Sequence, residues 1–105
     1  MAVAERVEVA DVPESERYEV SLDGEVVGFT AYRVRPGLIA FVHTDVDERF
    51  QGRGIGDQLI RFALEDARAR GLAVLPFCPF VKAFIERHRE FEELVPETYR
   101  EQFGL

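Results

Sequence analysis

What most limits the fold of this chain is a change of hydrophobic period on either side of one glycine-rich run. Before it, apolar residues recur at every second position; after it, they recur at helical spacing. The run is QGRGIG at residues 51–56, with Gly52, Gly54 and Gly56 at alternate positions. Alternation by two belongs to strands and the longer period to helices, so the sequence reads as a sheet passing through a tight turn into a helix.

Upstream, Tyr18, Val20 and Leu22 alternate with polar residues, and Asp23-Gly24 is a hairpin signal. Residues 25–34, rich in Val, Phe, Thr and Tyr, predict a second strand, and Pro36-Gly37 a second turn. LIAFVHTDV at 38–46 predicts a third strand, apolar enough to be covered on both faces. Together they predict a three-stranded antiparallel meander. Ahead of it, residues 1–16 carry Pro13 and a scatter of acids, with Val3, Val7 and Val9 in strand spacing. That segment reads as an N-terminal extension or an edge strand, and 17–105 as the domain proper.

Downstream, Ile55, Leu59, Phe62, Ala63 and Ala67 predict a helix over 54–70, stopped by Gly71 after Arg68 and Arg70. LAVL at 72–75 is a short apolar strand, and Pro79 opens a second helix with Val81, Phe84, Ile85 and His88 on one face. A strand–helix–strand unit implies a right-handed crossover, which sets the last strand parallel to the third. The class is therefore α/β: a short, mostly antiparallel sheet with one parallel pair and two main helices. Beyond Pro96 the sequence carries no periodic signal.

At 105 residues and 47% hydrophobic, with nine Phe, the chain suits one domain with a real core. A net charge of −7 argues against nucleic acid and anionic membrane as partners, since both favour a basic face. It leaves room for one small anionic ligand held by local groups. The single cysteine, Cys78, excludes an internal disulfide and a thiolate metal site, and two histidines are too few to suggest a metal centre. Residues 1–11 do not read as a signal peptide and no run has the length of a membrane span, so a cytoplasmic setting is expected.

A glycine turn between a strand and a helix is a phosphate-binding arrangement. Glycines let the backbone approach an anion, and the helix start offers free N–H groups and the positive end of its dipole. Arg49 and Arg53 are placed to add charge-assisted contacts. No Gly-Lys-Ser/Thr follows, which disfavours a triphosphate loop, and the glycine spacing does not fit a dinucleotide fold. The plain alternative is a connector that only tightens the turn.

Gln51, Gly54 and Gly56 match the Gln/Arg-x-x-Gly-x-Gly/Ala pattern of the GNAT acetyltransferase superfamily. The wider run HTDVDERFQGRGIGDQL, followed by RARGLAVLPFCPFVKAFIERH, resembles the small GNAT-like proteins of about this length that lack the usual N-terminal helices. The likeness covers residues 18–95 and includes the strand end at His43-Thr44, the Cys78-Pro79 pair and the helix histidine His88. It implies a sheet splayed at the parallel pair, with acetyl-CoA lying in the splay. Backbone amides of Arg53, Gly54, Ile55, Gly56 and Asp57 would hold the pyrophosphate beside Gln51 and Gly52. Thr44 and Val46, on the strand end at 44–47, would lie along the pantetheine arm. The acceptor would be a small-molecule or protein amine. Where related small proteins carry His-Pro-x-Tyr, this chain has His88-Arg89-Glu90-Phe91 and so lacks the usual phenolic acid for the departing thiolate.

Three residues stand as catalytic candidates. Cys78, just before Pro79, falls at a helix N-cap, where N–H groups and the dipole favour a thiolate able to accept an acyl group; the bland reading is a small buried hydrophobe. His43 and Asp45 fall on one face of the third strand, with Phe41, by strict alternation, while Val42, Thr44 and Val46 take the other. They would serve as base and orienting acid for an amine; the bland readings are a satisfied strand histidine and a solvated strand end. His88 reads as a core-edge residue, and Lys82 as a surface residue within reach of a CoA phosphate. Three classes of function follow: an acetyl-CoA-dependent N-acetyltransferase, a non-catalytic acyl-CoA binding or sensing module, and, weakest, an interaction domain without a ligand.

Overall fold

The structure is a computed structural model that describes residues 6–105; Val3 lies outside them. Five strands, β1 (Val7–Val12), β2 (Arg17–Leu22), β3 (Glu25–Arg35), β4 (Leu38–Val46) and β5 (Ala73–Pro76), lie side by side in chain order. The first three pairings are antiparallel, and β4 with β5 is parallel. This is the α/β arrangement that the periodicity predicts, with Val7 and Val9 in the edge strand.

The turns form for stereochemical reasons. Asp23 and Gly24 both sit at positive φ, +49° and +87°, as the twist-matched two-residue hairpin requires. Gly37 follows Pro36 at φ +78°, the pairing of residues that a type II turn favours.

Helix α1 (Ile55–Ala69) buries Ile55, Leu59, Ile60, Ala63, Leu64 and Ala67 against the sheet. Phe62 sits at the border of that stripe, 41% exposed, with its ring edge-on to Tyr18. The helix ends as the sequence predicts: Gly71 at φ +69° donates to Arg68 O, and Leu72 N donates to Ala67 O, the two bonds of a Schellman stop. Helix α2 (Pro79–Arg87) buries Val81, Phe84 and Ile85. The tail, unreadable from periodicity, adds a 3₁₀ segment (Arg89–Leu94) and a short α3 (Glu97–Arg100) and anchors itself through Phe91, Val95 and Phe103. These three are isolated apolar residues among charges, which is why no stripe announces them.

The meander departs from strict alternation at two places. In β3, Val20 pairs with Gly28 and Ser21 with Val26, so Val27 is an extra residue. Tyr32 pairs with Phe41 and Ala31 with His43, so Val42 is an extra residue in β4, a β-bulge. One extra residue exchanges the faces of everything beyond it. Ile39 and Phe41 are buried before the bulge, and Val46 is buried after it with Thr44 half-buried, while Val42, His43 and Asp45 are exposed. The expectation that Phe41 shares a face with His43 and Asp45 is thus corrected, as is the expectation that this strand is covered on both faces.

Two buried phenols tie the helix and the edge strand to the sheet. Tyr18 donates to Asp66 of α1 at 2.5 Å, and Tyr32 donates to Asp11 of β1 at 2.6 Å. Burial, reinforced by the carboxylates that accept their hydrogen bonds, pushes both phenols well above the usual range. Arg70 bridges the two acids, 3.5 Å from Asp66 and 3.6 Å from Asp11. Tyr18→Phe removes a hydrogen bond to a charged group and is expected to destabilise the fold by about 1–2 kcal/mol. The urea midpoint reads this at unchanged slope; a wild-type midpoint would show that the bond contributes nothing.

Candidate functional site

The parallel pairing of β4 and β5 covers only four residue pairs, Leu38 with Ala73 through Phe41 with Pro76. Cys78 N then donates to Phe41 O at 2.9 Å, and the chain turns into α2. Strand β4 continues through residues 42–46 with no strand on that side among the described residues. The gap opens into a cavity of about 590 Å³. Thr44, Asp45 and Val46 line it from the strand, Phe50, Gln51, Gly52 and Gly54 from the turn, and Ile55, Gly56 and Asp57 from the start of α1. Phe80, in the first turn of α2, completes the wall.

The three glycines of the turn have different reasons for being glycine. Gly52 and Gly54 adopt φ of +81° and +77°, which side chains disfavour, while a Cβ on either would meet nothing within 4 Å. Gly56 is helical; a Cβ there would stand 2.6 Å from the Phe80 ring. Gly54 is the N-cap of α1 and has no side chain with which to cap it. The first intrahelical bond is Gln58 N to Gly54 O, so the N–H groups of Ile55, Gly56 and Asp57 have no partner within the helix. Free donors and the positive dipole end thus face the cavity wall, an arrangement suited to an anion.

The side chains of the turn mostly hold its shape. Gln51 Nε2 donates to Val46 O at 3.2 Å, stitching the turn to the strand end. Asp47 caps the 3₁₀ turn (Glu48–Phe50) by accepting from Arg49 N. The Arg49 guanidinium grips both oxygens of Asp47 and also Glu25, and holds the Asp47 carboxyl below its usual range. Arg49 is therefore committed to acids rather than held ready for phosphate. The Arg53 guanidinium lies 5.5 Å over the Phe50 ring, and Arg53 is not among the cavity-lining residues. Asp57, whose charge would repel an anion, receives two 3.2 Å bonds from Arg87 of α2.

Cys78 is the N-cap of α2, with Pro79 following, and is 3% exposed. Its Sγ–H donates to Thr44 Oγ1 at 3.3 Å, so a residue of the cavity wall is its hydrogen-bond partner. His43 packs against Phe29, 5.8 Å between rings, on the opposite face of β4, and Phe29 lies under Arg17. Asp45 alternates onto the same face, yet among the described residues no hydrogen bond joins it to His43. His88 caps the end of α2, stacked 4.3 Å from Phe84 with Nδ1 3.3 Å from Arg61, a packed core edge. The Lys82 amine lies beside Gly104 of the tail. Among the described residues no cluster of His, Cys, Asp and Glu is arranged to hold a metal, and no helix is long and apolar enough to cross a membrane.

Sequence reasoning missed four contributors: Phe50, Phe80, Thr30 and Gly28. Only Gly28 had a readable signal, as a glycine inside a strand marks a close approach. A Cβ there would meet Asp45 O at 2.9 Å, Val20 Cγ1 at 3.1 Å and Val46 Cγ2 at 3.2 Å.

Comparison with known proteins comes to the same fold. A family model described as GCN5-related N-acetyl-transferase matches residues 17–94. No curated protein matches the chain. A solved structure, the ribosomal-protein-alanine N-acetyltransferase from Brucella melitensis biovar Abortus 2308, is similar at TM-score 0.51 and 23% identity. The match covers 76% of this chain and 61% of that one, so this chain spans less than two thirds of that neighbour's length. At that identity the likeness is one of fold.

Gly28→Ala is expected to push the end of β4 outward and to cost about 1–3 kcal/mol, as overpacking does. Urea unfolding checks it; an unchanged midpoint would show that the strand end yields freely.

Proposed function

Because the chain belongs to the GCN5-related N-acetyl-transferase family, we propose that it transfers an acetyl group from acetyl-CoA to an amine. The observation that carries this reading is a convergence on one cavity: the open N-terminus of α1, the unpaired end of β4 and, through Thr44, the Cys78 thiol. The pyrophosphate would sit on the N–H groups of residues 53–57, with Gln51 and Gly52 shaping the turn behind them. The pantetheine arm would run along Thr44 and Val46 toward Cys78. A reducing cytoplasm is the compartment proposed, since a free thiol persists there.

The bulge at Val42 divides the labour between the two faces of β4. Thr44 lines the cavity with Cys78 hydrogen-bonded behind it, and Asp45 also borders the cavity. His43, in contrast, lies against Phe29 on the open side, from which an amine would arrive. In the covalent route the Cys78 thiolate attacks the thioester carbonyl, the carbon–sulfur bond to CoA breaks, and CoA departs as a thiol after taking up a proton. The amine, relieved of a proton by Asp45 or His43, then attacks the acetyl-cysteine, and the Cys78 thiolate is regenerated. In the direct route the same base serves an amine that attacks acetyl-CoA itself.

A second reading, a non-catalytic acyl-CoA binding or sensing module, is favoured by two observations. Cys78 is nearly enclosed, and Phe91, in the place of the missing tyrosine, is buried in the core at 1% exposure.

A ligand that binds only the folded chain stabilises it by about 2.7 kcal/mol at a hundredfold excess over its Kd. CoA is expected to raise the Tm of wild type and of Cys78→Ala alike. No rise at millimolar CoA would contradict both readings. Acetyl-CoA should leave one acetyl group on wild type, seen by intact mass, and none on Cys78→Ala. Stabilisation without acetylation and without turnover of any amine would select the binding module.

A further inference from the structure

Thr30 is a buried hydroxyl residue, fully enclosed on β3 and paired across the sheet with Thr44. Its Oγ1 lies 2.9 Å from Thr44 Oγ1, and Thr44 Oγ1 in turn accepts from Cys78 Sγ–H at 3.3 Å. Each hydroxyl has one proton to give and two lone pairs to accept with, and its proton rotates freely. We propose that Thr30 and Thr44 form a reversible hydroxyl chain that holds the Cys78 sulfur and presents it with a donor when it ionises, which makes Thr30 a positioning residue. The inference rests on the reading of Cys78 as the reacting thiol.

While the thiol is protonated it donates to Thr44, and the Thr44 hydroxyl donates on to Thr30. Once the thiol has lost its proton, the sulfur becomes an acceptor. Thr44 then turns its O–H to the sulfur, and Thr30 turns its own O–H to Thr44. No heavy atom moves, and no proton is passed along the chain; only the direction of the bonds reverses. Without this reversal an enclosed thiolate would lack a side-chain donor, a costly state for a buried charge.

The ionisable groups of the surrounding elements do not replace it. On α1, Asp57 is paired with Arg87 and Arg61 leans on Phe84 and His88. On α2, the Lys82 amine lies by Gly104 and Glu86 is exposed. On β4, His43 packs on the other face against Phe29 and the exposed Asp45 makes no hydrogen bond to Cys78, and β5 carries no ionisable residue.

The test uses the chain's single cysteine, whose thiolate absorbs in the far ultraviolet, with Cys78→Ala as the blank for tyrosine. Thr44→Val keeps the shape and removes the hydroxyl. It is expected to move thiolate formation upward by about one pH unit, a tenfold change in the thiol–thiolate equilibrium. Thr44→Ser should titrate with wild type, and Thr30→Val should move the same way by less. A Thr44→Val titration that overlays wild type, a Thr44→Ser titration that follows Thr44→Val, or no movement in Thr30→Val would each overturn the proposal. Because no CoA is present, failure of the hydroxyl chain is distinguishable from failure of the CoA reading, which the thermal shift reports separately.

Discussion

The hydrogen bond from Cys78 N to Phe41 O marks the place where two parallel strands part. Up to that point β5 occupies the edge of β4. Beyond it Pro79, fixed in φ and lacking an N–H, favours the first turn of a helix over another strand residue. The edge that β5 leaves is long enough to be lined by Thr44 and Val46 and is closed at the far end by the start of α1. Had β5 run four residues further, the same sequence elements would enclose no cavity. The site is thus a consequence of unequal strand lengths, and the glycine turn matters because it delivers a helix start to the mouth of that gap.

For an acidic chain to receive the proposed anionic ligand, it would have to rely on local fields. The net charge of −7 repels a polyanion at long range, an effect that salt screens. Close in, the backbone N–H groups and helix dipole at the start of α1 would supply the attraction. The arginines near the turn serve mainly to neutralise carboxylates: Arg49 holds Asp47 and Glu25, and Arg87 holds Asp57. That division of roles lets an acidic surface coexist with an anion-suited cavity.

Much of this was legible in the sequence because turn chemistry is local. Asp23-Gly24, Pro36-Gly37, the glycine run and Gly71 each fix a backbone conformation irrespective of tertiary contacts, and the elements fall between them. The bulge at Val42 was not legible. Neither glycine nor proline marks it, and its cause lies in pairing with β3, so alternation put Phe41 with His43 and Asp45 when the folded strand separates them. The commitment of Arg49 likewise depends on Glu25, 24 residues away. Phe80 was readable only as a helix residue, and its contact with Gly56 emerges once the two helix starts are brought together.

The central claim is that backbone amides at the start of α1, rather than cationic side chains, receive the ligand's pyrophosphate. Titration of CoA into the isotopically labelled protein, followed through amide resonances, tests it residue by residue. The account predicts the largest shifts at Gly54, Ile55, Gly56 and Asp57, with Thr44 and Val46 following. Largest shifts on the open face around Phe29 and His43, or around Asp11, Tyr32 and Arg70, would contradict it.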